Sequence, residues 1–299
     1  MRSKNFNIHR NKLTLIQSQP GFGKTELLNK LYQESKNLKK SIFISISQSD
    51  NNPIALLKKI VISLKAANLD TNTSFINQLD NISLPSLEPI INSMLDSCFI
   101  SEINYIFVDD VDLLLDKSSN KIISSFIAGS VERFSLIATC SKPPHFHYSH
   151  LLLSNQVTII DETHLKLNFS DLRNLFDMKG FKNIEDLKLK ELLDVTDGWP
   201  LGIQFVLSHI KDENEINLII KDLKLGNQSL ETYFSEKSYN YQSEELKDFI
   251  HKISVVDEFH LSLCKDITQD QNTHIILSYL IANNAFITRT THGHFKFHP

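Results

Sequence analysis

Cysteine is nearly absent: Cys98, Cys140 and Cys264 are the only three in a chain of 299 residues. They are odd in number, far apart and form no Cys-x-x-Cys pair. That excludes a disulfide framework and a cysteine zinc site, and it implies a reducing, cytoplasmic setting. A basic excess is missing too. The formal net charge is −4, the opposite of the electrostatic footprint of a nucleic-acid binder. This chain alone is therefore expected not to bind DNA. The apolar run after the basic start MRSKNFNIHRNK is short and leads into a glycine turn, so it reads as neither a signal peptide nor a membrane span. Glycine and alanine are sparse beside abundant Ile, Leu, Asn and Lys, which we read as compositional bias. No G-x-S-x-G and no Ser–His–Asp order offers serine-hydrolase chemistry.

What is present is a folded chain. It is 41% hydrophobic and 22% charged, within the range of globular proteins and outside that of disordered ones. Its length exceeds what one core usually serves, so two or three domains are expected. The first half alternates apolar runs with helical stretches. LTLIQS (13–18), SIFISIS (41–47), YIFVDD (105–110), SLIATC (135–140) and VTIID (157–161) read as strands covered on both faces. Helices are expected over 24–38, 53–67, 86–100 and 119–132. Such alternation predicts an α/β fold with a parallel sheet flanked by helices.

Beyond about residue 162 the pattern turns helical. FSDLRNLFDMKG predicts a helix capped by Ser170 and stopped by Gly180. A second helix ends at Gly198 and a third, LGIQFVLSHIK, starts just after Pro200. The closing AFITRTTHGHFKFH predicts a hairpin around Thr291–Gly293. We therefore expect a P-loop NTPase domain at 1–163, a helical domain at 164–225 and a winged-helix-like domain at 226–299.

Residues 18–25 read SQPGFGKT, close to the P-loop pattern G-x-x-x-x-G-K-S/T, with Ser18 where the first glycine would stand. Gly21 and Gly23 let the backbone curl its N–H groups toward phosphate, and the helix that follows adds its positive end. Lys24 would meet the β- and γ-phosphates of ATP, and the Thr25 hydroxyl would ligate Mg²⁺. The candidate nucleotide-binding segment comprises Ser18, Gly21, Phe22, Gly23, Lys24, Thr25 and Glu26. The run YIFVDD ends in two carboxylates. Asp109 would hold Mg²⁺ with Thr25. Asp110, with Lys24 the candidate catalytic pair, would orient or deprotonate the attacking water. Nothing like N-K-x-D follows, which favours adenine over guanine.

Several further segments carry a family resemblance. SQPGFGKTELL resembles S-x-A-G-(Y/F)-G-K-T-T-L-L, the loop of the large MalT-like regulators of the LuxR type, within the STAND class of signalling ATPases. ISISQSDNNPIALLKKIVISL is similar to that family's S-L-D-x-x-D-N-D-P-x-x-F, a match carried by Asp50, Asn51, Asn52 and Pro53. IFVDDVDLLLD resembles L-V-L-D-D-Y-H-x-I, with Asp112 in place of the usual His. ATCSKPP resembles T-S-R-x-x-P-P, and TDGWPLGIQFVLSHI resembles T-x-G-W-P-x-G-L-Q-L-A. The last twenty residues resemble the close of the family's winged-helix domain.

The resemblance implies roles. Lys142 would replace an Arg that senses the γ-phosphate, with a point charge where the family has a planar fork. Pro200 would pack on adenine, with Trp199 a core anchor beside it. His298 would reach the β-phosphate of ADP and hold a closed resting state. It also implies a switch: ADP holds the closed form, ATP and a small-molecule or protein inducer open it, the protein self-associates or joins a related regulator, and weak hydrolysis of ATP to ADP and phosphate resets it. In the family a helical-repeat sensor and a helix-turn-helix follow. Their lack after His298–Pro299 suggests a truncated regulator, an excised fragment or a remnant. The family's longer segment before the first strand is also lacking, so loose base binding is expected. The rival readings are a degenerate non-catalytic protein that binds nucleotide weakly, and an AAA+-type ATPase, whose Arg finger and lid Arg are not evident.

Two histidine clusters invite a metal. They are His145, His147 and His150, and His292, His294 and His298. Hairpin alternation puts the second set on one face, but no Cys or carboxylate completes either at a ligand spacing. We read them as ordinary turn and hairpin histidines. The lysines at 36–40 read as a solvated helix end.

Overall fold

The structure is a computed structural model that describes residues 11–36, 40–67, 87–100, 103–129, 134–210, 213–225, 243–270, 272–282, 287–290 and 294–297. The chain forms two bodies. Among the described residues, the first comprises 11–19 and Lys24–Asp161, and the second Pro20–Gly23 and 162–297.

The first body is a five-stranded parallel sheet with helices. Its strands are β1 (Leu13–Gln17), β2 (Lys40–Ser45), β3 (Ile103–Asp109), β4 (Ser135–Cys140) and β5 (Val157–Ile160). They lie in the order β2-β3-β4-β1-β5, all parallel. Its longer helices are α1 (Lys24–Lys36), α2 (Pro53–Ala66), α3 (Leu87–Ile100) and α4 (Lys117–Gly129), and α5 (Ser149–Leu153) is short. The inner strands are apolar because both of their faces are covered, whereas edge strand β5 leaves Ile159 exposed. On one face Leu13, Leu15, Ile106, Val108, Leu136 and Ala138 share a core with Leu57, Ile60 and Val61 of α2 and Ile122 and Phe126 of α4. Burying each Leu, Ile, Val or Phe side chain among them contributes about 1.5–3 kcal/mol. The strand order sets β4 between β1 and β3. The turn after β1 and the carboxylates ending β3 thus sit at the same, C-terminal edge, one strand apart. Open α/β sheets bind ligands at that edge.

The second body opens with α6 (Glu162–Leu165), α7 (Phe169–Met178), α8 (Asp186–Thr196), α9 (Pro200–His209) and α10 (Glu213–Leu225). The cap of α7 differs from expectation. Asn168 fills it, accepting from the Asp171 N–H at 3.0 Å while Asp171 accepts from the Asn168 N–H at 3.2 Å. This reciprocal pair satisfies two end donors, which Ser170 could not do from inside the helix. Helix α8 ends on two left-handed residues, Asp197 (φ 49°) and Gly198 (φ 68°). Pro200 then starts α9, where no N–H is needed. Helix α8 packs on α7, α9 and α10.

The body closes with α11 (Glu244–Ile253), α12 (Leu261–Thr268), α13 (Thr273–Ala282) and the antiparallel pair β6 (Ile287–Arg289) and β7 (Phe295–Phe297). Leu246, Phe249, Ile253, Phe259, Cys264, Leu277, Leu280, Ile287 and Phe295 form their core. The hairpin turn expected at Thr291–Gly293 lies outside the described residues. Helix α4 begins two residues earlier than expected, because the Asp116 carboxylate accepts from the Ser119 N–H at 2.8 Å and so caps its first turn. No helix among the described residues is long and apolar enough to cross a membrane.

Candidate functional site

Lys24 begins α1 directly after the Gly21–Gly23 turn. Both glycines take positive φ, 83° and 79°, a conformation that side chains disfavour. The Lys24 side chain is only 6% exposed. Its Nζ donates to the Ser18 carbonyl at 2.7 Å and the Gln19 carbonyl at 3.0 Å. Burial pushes the Lys24 ammonium below its ordinary value, and Asp110, Asp112 and Asp109 act against that shift. Ser18 is buried, with its hydroxyl donating to the Gln19 carbonyl at 3.3 Å. Thr25 and Glu26 follow in the first turn of α1, Thr25 half-buried and Glu26 exposed.

Asp109 ends β3 and is 2% exposed. Its Oδ1 accepts from the Thr25 hydroxyl at 3.1 Å and from the Thr139 hydroxyl at 2.5 Å. The two sequence-predicted Mg²⁺ residues are therefore side by side. Thr139 was not foreseen. It stands on β4 between the two motif strands, and its Oγ1 also accepts from the Asp110 N–H at 2.8 Å. Asp110 sits in the left-handed region at φ 56°. The only sequence signal for Thr139 was a polar residue near the end of an otherwise apolar strand.

Lys142 follows the end of β4. Its side chain is exposed, and its backbone N–H donates to Asp112 Oδ2 at 3.1 Å, beside the Ser141 N–H at 3.1 Å. Asp112 thus ties the exit of β4 to the exit of β3. Burial and then Asp112 push the thiol of Cys140 up to about 12.

In the second body, Pro20–Gly23 meet the start of α9. The Trp199 Nε1–H donates to the Pro20 carbonyl at 3.2 Å, and the Leu201 N–H to the Gly21 carbonyl at 3.0 Å. Trp199 and Phe22 are buried, and Pro200 is half-buried between the two donors. Trp199 is an anchor, as expected of a buried indole, but one that grips the turn. His298 and His292 lie outside the described residues. His294 packs against His260 with ring centroids 4.9 Å apart.

Among the described residues, no cluster of three His, Cys, Asp or Glu side chains could hold a metal alone. Thr25 Oγ1 and Asp109 Oδ1 are instead two hard oxygens at hydrogen-bond distance. That donor set suits Mg²⁺, which keeps waters and shares its shell with phosphate.

The MalT winged helix domain family matches residues 235–299. Over 295 residues the chain is 21% identical to the HTH-type transcriptional regulator MalT of Vibrio parahaemolyticus, covering 96% of this chain and 32% of that protein. The chain is thus similar to the MalT regulators over most of its length. MalT of Yersinia pestis is likewise 21% identical over 297 residues, with the same coverage of each chain. The chain spans about a third of the length of the curated relatives it matches. Among solved structures, DnaA from Aquifex aeolicus bound to AMPPCP aligns over 94% of this chain and 84% of its own, at 13% identity and TM-score 0.39.

Proposed function

We propose that the chain is the ATP-binding, slowly hydrolysing switch portion of a signal-responsive, MalT-like transcription regulator of the STAND class. The reading rests on one observation above all. Lys24 and Thr25, which open α1, share the sheet edge with Asp109, and Thr25 touches it. Lys24 would hold the β- and γ-phosphates, trading two main-chain carbonyls for a stronger anionic partner. Ser18, Gly21, Phe22, Gly23 and Glu26 would complete the loop around them. Thr25 and Asp109 would hold Mg²⁺, which when bound neutralises charge on the phosphates. Asp110 would orient the attacking water and take its proton. Self-association in the ATP state and release by a small-molecule or protein inducer belong to the same proposal. So does the division into an NTPase domain to 163, a helical domain to 225 and a winged-helix domain after it.

The exposed Lys142 side chain favours a second reading, a protein that binds nucleotide without sensing the γ-phosphate tightly. Titration with ATP and with ADP, each with and without Mg²⁺, separates the two. A switch binds both nucleotides, with ATP binding dependent on Mg²⁺ and followed by slow release of phosphate. A degenerate protein binds both weakly and releases none.

A further inference from the structure

The chemistry proposed above leaves the Asp50–Pro53 segment without a role, although it carries a specific part of the sequence resemblance. In the structure, residues Gln48–Asn51 form a short 3-10 turn between β2 and α2. The turn is firmly seated. Asp50, 1% exposed, accepts from the Ser47 N–H at 2.7 Å and pairs with Lys59 at 2.5 Å. Asn52 caps α2, accepting from the Ile54 N–H at 2.9 Å. The Ser119 hydroxyl at the start of α4 donates to the Asp50 carbonyl at 2.9 Å.

Asn51 reaches from this seat to the loop that leaves β3. Its Oδ1 accepts from the Leu115 N–H at 2.6 Å and the Asp116 N–H at 2.9 Å. Its Nδ2 donates to the Leu113 carbonyl at 3.0 Å and the Gln48 carbonyl at 3.1 Å. A primary amide offers two lone pairs and two N–H groups, so its full capacity is engaged. The two backbone donors also fix which end of the amide is oxygen. Three of the four bonds grip residues 113–116.

That loop starts at Asp110, whose left-handed backbone costs energy in a residue that has a Cβ. Such a conformation persists only when its surroundings hold it. On the β4 side, Thr139 accepts from the Asp110 N–H, and Asp112 accepts from Ser141 and Lys142. On the β2 side, the Asn51 amide is the brace. Since β2 and β4 flank β3, the loop is held from both neighbours.

We infer that Asn51 is a positioning residue that fixes the loop carrying Asp110 and so sets the carboxylate for its work on water. The inference rests on the reading of Asp110 as the water-orienting group. Asn51 touches neither phosphate nor metal in this account. Its loss therefore slows turnover and spares binding.

The test uses the full chain and five proteins: wild type, Asn51→Ala, Asn51→Asp, Asp110→Asn and the double variant Asn51→Ala/Asp110→Asn. ATP turnover and the Kd for MgATP are measured for each. Asn51→Ala lowers kcat about tenfold or more, with Kd within about twofold of wild type. Asn51→Asp keeps the acceptor for Leu115 and Asp116 but loses both donors, so its rate falls between; it also decides the matter if the alanine variant fails to fold. The double variant is no slower than Asp110→Asn alone, because Asn51 acts through Asp110. Wild-type turnover in either Asn51 variant, a loss shared equally by Kd and kcat, or multiplied losses in the double variant overturns the inference while the ATPase reading stands. A wild-type protein that turns over no ATP overturns that reading, and this inference with it.

Discussion

Thr25 Oγ1 donates a hydrogen bond to Asp109 Oδ1 across 3.1 Å, joining the first turn of α1 to the end of β3. The residues are 84 positions apart in sequence and arrive from strands that β4 separates. In the proposed function Mg²⁺ joins this pair.

Asp109 and Asp110 are expected to separate in function. Asp109→Asn removes a charged metal ligand and should weaken Mg²⁺-dependent ATP binding by about tenfold or more. Asp110→Asn should leave binding near wild type and slow turnover by about a hundredfold or more. Titrations with and without Mg²⁺, beside phosphate release, read the two effects. Equal loss of binding in both variants contradicts distinct roles.

Gly21 and Gly180 provide a matched pair. Both have positive φ, 83° and 93°. A Cβ on Gly21 would meet Trp199 Nε1 at 2.7 Å and Leu201 Cβ at 2.8 Å, whereas one on Gly180 would meet nothing within 4 Å. Gly180→Ala should cost only conformational strain, about 1 kcal/mol. Gly21→Ala should cost at least about 1 kcal/mol more through overpacking. Denaturant unfolding of both variants checks the difference; equal losses contradict the close approach of Trp199 to the turn.

Much of this was legible in the sequence, and the physical reason is local. The inner strands stood out because a sheet covered on both faces needs apolar residues at every position, as β3 shows from Tyr105 to Val108, whereas β5 is just as apolar in sequence but leaves Ile159 exposed at the sheet edge. Lys24, Thr25 and Asp109 stood out because the P-loop pattern fixes residue types next to a glycine turn and two carboxylates end an apolar strand, and the structure brings Thr25 and Asp109 together. The braces were hidden. Thr139 meets Asp109 and Asp110 only through the β3–β4 pairing, and Asn51 meets residues 113–116 only because β2 lies beside β3. Strand order is not written in any one segment. The role of Lys142 came from the resemblance alone, and no segment foretold that its backbone N–H donates to Asp112. Ser170 misled because two cap-forming residues, Asn168 and Ser170, stand close together and only Asn168 has its partner acid three residues on.

The Asp50–Lys59 pair should matter for stability. Asp50 is almost wholly buried, and Lys59 keeps 27% side-chain exposure. Asp50→Ala removes the carboxylate partner of a partly buried ammonium, leaving it the Ser45 carbonyl at 2.9 Å, and empties the acceptor of the Ser47 N–H. A loss of about 3 kcal/mol is expected, the low end for a broken buried pair. Chemical denaturation measures it, and a loss under about 1 kcal/mol would show that the pair adds little.

Cys140 and Cys264 should be inert in the folded protein. Both are buried, and burial pushes their thiols up to about 12 and about 11. At pH 8 the thiolate of Cys140 is then on the order of one part in ten thousand. In a Cys98→Ser background, a thiol reagent at pH 8 should label neither residue until denaturant is added, and then both. Rapid labelling of the native protein contradicts the packing around β4 or α12.

The most direct test of the account is MgATP binding by wild type and Lys24→Ala, measured by calorimetric titration at equal folded concentration. Lys24 donates to two main-chain carbonyls and forms none of the apolar core. The variant should therefore keep its far-ultraviolet spectrum and cooperative unfolding. The account predicts that wild type binds ATP and that Lys24→Ala loses about thirtyfold or more in affinity, the scale of a charged hydrogen bond to phosphate. A folded Lys24→Ala that binds MgATP as tightly as wild type, or a wild type that binds none, contradicts it.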